Sequence, residues 1–144
     1  RNYALAHPDS PTAHFLLGRC YANLRIPELT RAKGEFDMAA FLIRDATRMD
    51  LPDKEQTTEE FQAAIHYETA LVLARIVAEA RKAGMSDQAT SGILATALQH
   101  VREGICLSPA SPKLIALEKR LIATLESFGG DYVMPPPASS RYFI

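Results

Sequence analysis

The chain has 144 residues, 47% of them hydrophobic and 23% charged, which is ordinary for a globular domain with room for a sizeable core. Its formal net charge of -1 excludes a global attraction to nucleic acid or to an anionic membrane. No apolar run approaches the ~20 residues of a membrane span, and no signal peptide is visible.

Proline punctuates the chain. Tyr3, Ala4, Leu5 and Ala6 read as the end of a helix, and the first residue is Arg1 rather than Met. The chain is therefore expected to be a fragment or a processed product. Ser10 and Pro11 read as an N-cap and a first helical residue, where the missing proline N–H costs nothing. Phe15, Leu16, Leu17, Cys20, Tyr21 and Leu24 then follow at helical spacing, until Ile26 and Pro27 interrupt them. A second helix is expected from about residue 31 or 33 to residue 49. Its apolar face is Phe36, Ala39, Ala40, Ile43 and Ala46, and Leu51, Pro52 and Asp53 end it.

The polar stretch 53–60 opens a third helix. Thr57 and Thr58 offer a cap, and Glu59 and Glu60 supply first-turn acids that suit the helix dipole. That helix reaches about Arg81 or Lys82, before Gly84. Ser86 and Asp87 start a fourth, running to about Cys106. Ser111 and Pro112 start a fifth, ending before Gly129 and Gly130. No alternating strand pattern interrupts the series, so the expected class is all-α. Helical hairpins occupy residues 1–128. Residues 129–144, with Pro135, Pro136 and Pro137, form a proline-rich tail that reads as extended or partly disordered.

Motifs for chemistry are missing. His7, His14, His66 and His100 are scattered, with no H-E-x-x-H and no zinc-finger spacing, so no metal is expected. His14 and His66 read as large packing residues. No phosphate-binding glycine loop and no G-x-S-x-G elbow occurs, so no cofactor and no catalytic residue is expected. Glu59, Glu60 and Glu68 read as a solvated face or first-turn acids rather than acid–base groups. Cys20 and Cys106 fall inside apolar helical patterns and read as reduced core thiols, which suits an intracellular, cytoplasmic setting.

Two segments echo each other: His7 to Pro11 reads HPDSP, and Ser108 to Pro112 reads SPASP. Each ends one helix and begins the next, and Pro52 sits at a third such boundary. Recurring helix pairs of this kind point to a solenoid. Leu17, Gly18, Arg19, Cys20 and Tyr21 carry an L-G-x2-Y core, with His14 three residues before it. Ala39 and Ile43 fit A-x3-F, with Ala46 and Pro52 beyond. On these residues the chain resembles the tetratricopeptide repeat family, whose first helix reads W-x2-L-G-x2-Y. In a second unit Ala70 stands at the glycine position and Leu73 at the tyrosine position. Ala97, Val101, Gly104 and Pro109 match its second helix. A third unit has one helix, Leu114 to Leu125 in its apolar positions, with Glu118 for glycine. The first unit carries about nine residues more than the family pattern between His14 and Ala39, and the second is also lengthened, around Ala78 to Ser91.

The resemblance implies a short TPR-like α-solenoid of antiparallel hairpins that binds protein partners. In this family the first helix of each hairpin lines a concave groove. Position by position, that points to Phe15, Arg19, Tyr67, Leu71, Arg75, Lys119 and Ile122 as partner-binding residues. Their mixture of basic and apolar character suits a peptide with acidic and apolar residues. The carboxylate clamp of one subtype is not matched, because Arg19 rather than asparagine follows Gly18. The expected function is an interaction scaffold within a larger assembly, not an enzyme, with no nucleic-acid or membrane partner. Tyr142, Phe143 and Ile144 at the tail's end could dock on the chain's own groove or on a second copy. The competing readings are a helical enzyme completed by other segments or subunits, and an RNA-binding repeat that near-neutral charge disfavours.

Overall fold

A computed structural model of the chain describes residues 8–45 and 56–128. It is all-α, and no strand occurs among the described residues. Five helices follow one another: α1 (Pro11–Ala22), α2 (Leu29–Asp45), α3 (Thr58–Lys82), α4 (Asp87–Leu107) and α5 (Pro112–Glu126). The expected helix before residue 7, the end of the second helix around residues 46–53, and the tail from 129 lie outside the described residues.

Side-chain caps begin four of the helices. The Ala13, Ala89 and Leu114 N–H groups donate to the hydroxyls of Ser10, Ser86 and Ser111. Thr57 and Glu60 form a reciprocal capping box at α3. Pro11 and Pro112 occupy the first turn of α1 and α5, as expected from the serine–proline pairs. Gly84 ends α3 with φ +102°, in the left-handed region that favours glycine. The Met85 N–H reaches the Ala80 carbonyl and the Gly84 N–H reaches that of Arg81, which is a Schellman closure.

Boundaries differ from expectation in the first hairpin. α1 stops at Ala22, so Leu24 lies beyond it and is exposed. α2 starts at Leu29, earlier than residue 31, because Glu28 acts as its cap: its carbonyl accepts from Ala32, and its own N–H bonds the Tyr21 carbonyl.

Each helix packs mainly on its neighbours in sequence, around two apolar clusters that share α3. One joins Phe15, Ala32, Phe36 and Ile43 to Phe61, Ile65 and Val72. The other joins Ala70, Leu73 and Val77 to Leu94, Leu98, Leu117 and Leu121. α3 is therefore buried on two faces, which is why its apolar residues do not form one stripe. Small residues allow the crossings. A Cβ on Gly18 would sit 2.7 Å from the Phe36 ring, and one on Gly104 would sit 3.0 Å from Leu114. The Ala70 and Ala97 side chains are fully buried. Glu118 ties α5 to α4 through Arg102, at 3.2 Å.

The cysteines correct the sequence reading. Both Cys20 and Cys106 are exposed. Each lies two residues after a buried glycine, Gly18 or Gly104, and two residues turn a helix by about 200°. An apolar neighbourhood in sequence put them in the wrong phase.

Candidate functional site

α3 carries Tyr67, Leu71, Ala74, Ala78 and Arg81 at three- and four-residue spacing, so they line one face. Two basins open along it. The first, about 440 Å³, lies between α1, α3 and the start of α5. Arg19 and Lys113 flank it. The Arg19 guanidinium lies 5.9 Å from the Phe15 ring centre, and the Lys113 ammonium 5.7 Å from that of Tyr67. Glu68 faces the same basin. Burial pushes its carboxyl above the ordinary range, while Arg19 and Lys113 pull it back.

The second basin, about 380 Å³, lies between α3 and α5 with the start of α4 at its floor, through Thr90 and Leu94. Leu71, Ala74, Leu94, Leu117 and Leu121 line its apolar part, and Arg75, Arg81 and Arg120 are its charged lining; among the described residues no carboxylate lines it. Arg75 donates to the Ala22 carbonyl at 3.0 Å. Arg81 pairs with Asp87 at 2.7 Å, donates to Thr90, and lies over the Phe128 ring.

Five of the seven sequence-derived positions reach these basins. Arg19 and Tyr67 line the first, and Leu71 and Arg75 the second. Phe15 also lines the first, but it is a core residue, edge-on to Phe61 with ring centres 5.3 Å apart. Ile122 packs against the second apolar cluster, and Lys119 is exposed; neither lines a basin. Sequence reasoning missed Glu68 as a groove residue, and Lys113, Arg81 and Arg120 altogether. Arg81 was within reach, at ten residues beyond Leu71 on the same helix. Lys113 and Arg120 require the packing angle of α5.

The opposite side of α3 holds a smaller cleft of about 250 Å³, shared with α2 and α4. Arg44, His66 and Glu103 line it. His66 Nδ1 lies 3.0 Å from His100 Nδ1, and His66 Nε2 lies 3.6 Å from a Glu103 carboxylate oxygen. Burial, then the charges of His100 and Arg44, push the His66 pKa down to about 4, so the ring is neutral at pH 7. His66 is thus a partnered histidine rather than a packing residue alone. His14 is too: its ring nitrogens meet the Glu35 carboxylate and the Pro8 carbonyl.

Among the described residues, no helix is long and apolar enough to cross a membrane. Comparison with known protein families, with curated proteins and with solved structures returned no match.

Proposed function

We propose that the chain is a protein-interaction scaffold, a short stack of TPR-like helical hairpins whose α3 face receives a partner segment. The observation that carries this reading is the second basin, apolar inside, with Arg75 and Arg120 on its wall, Arg81 beside them paired to Asp87, and no carboxylate among its described lining residues. Such a surface favours a segment that buries apolar side chains and presents acidic ones to the arginines. Tyr67 and Arg19 extend it toward α1, where an incoming carboxylate would compete with Glu68 for Arg19 and Lys113. The small residues Gly18, Ala70, Ala97 and Gly104 at helix crossings support the repeat reading, because they let paired helices approach closely. The role proposed is non-catalytic: the basins offer binding surface, and the sequence carries no motif that calls for more.

Selection of random displayed peptides on the full chain tests the reading. The expected winners place acidic residues beside apolar ones and lose affinity on Arg120→Glu and on Arg19→Glu. Winners without acidic residues, or winners indifferent to both substitutions, would overturn it.

A further inference from the structure

Outside the α3 groove, one cluster brings together residue types that ligate metal. His66 comes from α3, and His100 and Glu103 come from adjacent turns of one face of α4. One ligand atom from each lies within 4.8 Å of the others. All three are half-buried, on helices whose neighbouring residues are in the core. The site borders the cleft that α2 closes with Ala40, Ile43 and Arg44.

We propose that His66, His100 and Glu103 form a binding site for one divalent transition metal of borderline softness, with Zn²⁺ as the reference case.

The geometry of the two imidazoles carries the argument. Their Nδ1 atoms point at one another across 3.0 Å. Without an ion, one must donate and the other accept. An ion bound by both would replace that single hydrogen bond with two coordinate bonds. Zn–N lengths of about 2.0–2.1 Å in a tetrahedral site put the nitrogens roughly 3.3 Å apart. A separation of 3.0 Å reaches that value with a small ring rotation. The Glu103 carboxylate lies 3.6 Å from His66 Nε2, the nitrogen on the other side of the ring, and one ligand atom of each residue is within 4.8 Å of the others, so it becomes the third ligand by swinging on its three rotatable bonds toward the Nδ1 pair.

Two histidines and one carboxylate are a borderline, nitrogen-rich set. They suit Zn²⁺, Co²⁺ or Ni²⁺ rather than Mg²⁺ or Ca²⁺, which take oxygen. Three protein ligands leave a coordination position, and the cleft gives that position space and access. Glu103 offsets one of the ion's two charges. With Arg44 on the same cleft wall the loaded site is net positive, so its open position favours an anion, either hydroxide or a carboxylate.

The test uses the full chain, stripped with chelator and titrated with Zn²⁺ alone, read by calorimetry, by elemental analysis of the dialysed protein and by thermal melting. One equivalent per chain and a raised melting temperature are expected. His100→Gln, His66→Gln and Glu103→Gln should each weaken binding by about tenfold or more. Co²⁺ should give the visible absorption of a low-coordinate site, and His100→Gln should remove it. Circular dichroism checks that each variant folds. If His66→Gln does not, Glu103→Gln decides, because it keeps the size and shape of the side chain it replaces. His14→Gln and the Cys20→Ser/Cys106→Ser double variant should bind as wild type, since His14 with Glu35 and the exposed thiols are the competing ligands. The absence of stoichiometric uptake would overturn the proposal. So would unchanged affinity in a folded His100→Gln or Glu103→Gln chain, or loss of binding in the cysteine variant.

Discussion

Gly18→Ala measures how closely α1 and α2 must approach. The added methyl would stand 2.7 Å from Phe36 Cε1, 2.9 Å from Cδ1 and 3.1 Å from Cζ. Ordinary carbon–carbon contact begins near about 3.5 Å, so the ring must withdraw by roughly 0.8 Å. It has little room. Phe36 is 0% exposed, its ring centre is 5.8 Å from that of Phe15, and Phe15 abuts Phe61. Overpacking of this kind costs about 1–3 kcal/mol. Replacing a helical glycine with alanine also gains about 1 kcal/mol of helix propensity, which hides part of the clash. Gly34→Ala on α2 supplies the reference, because nothing lies within 4 Å of its added methyl. Urea unfolding followed by circular dichroism should place Gly34→Ala above wild type. Gly18→Ala should fall about 1–3 kcal/mol below Gly34→Ala. If the two variants are equally stable, α1 and α2 are not packed as described.

Four further outcomes follow from particular contacts. Gly84→Ala should destabilise by about 1–2 kcal/mol in the same assay, through backbone strain alone, since φ is +102° and the added methyl meets nothing. His66→Gln should flatten the stability–pH curve of the chelator-treated protein. The folded pKa of about 4 lies below the unfolded 6.5, so the neutral ring's contribution is complete above 6.5 and is lost as pH falls from 6.5 through 4. His100, Arg44 and Glu103 all face this group, so denaturation at several pH values must include a His100→Gln control. Phe36→Ala should cost about 3–5 kcal/mol by calorimetry or urea titration, because the side chain is fully buried. Cys20 and Cys106 should both react with a thiol reagent in the folded chain without denaturant, and protection of either thiol would restore the core reading that their exposure removed.

The helices were legible because their starts are chemical. Ser10, Thr57, Ser86 and Ser111 all cap as expected, and Gly84 stops α3. Gly18 was legible through its L-G-x2-Y setting, and the structure supplies the reason in Phe36. Phase was harder. Cys20 and Leu16 belong to an apolar run, yet of that stretch only Phe15, Gly18 and Ala22 are buried, with Tyr21 packed partly against the same cluster. The groove was half legible: α3 positions such as Tyr67 and Leu71 came from the repeat resemblance, and they lie on one helix whose face the structure leaves lining the basins. Lys119 and Ile122 missed the basins, and Arg120 reached one, because a single-residue step on α5 changes direction by about 100°. The His66, His100 and Glu103 cluster was hidden for another reason. His100 and Glu103 are three residues apart, but His66 joins them only once the register of α3 against α4 is known.

The central claim is that the α3 face binds a partner. The most direct measurement is the affinity of a partner captured from cell extract, titrated against three chains: wild type, Arg19→Glu/Arg120→Glu, and Lys119→Glu. Arg19 and Arg120 line the two basins, whereas Lys119 lines neither. The double reversal should weaken binding by at least about tenfold, while Lys119→Glu should bind as wild type. Equal affinity for all three chains, or a loss confined to Lys119→Glu, would contradict it.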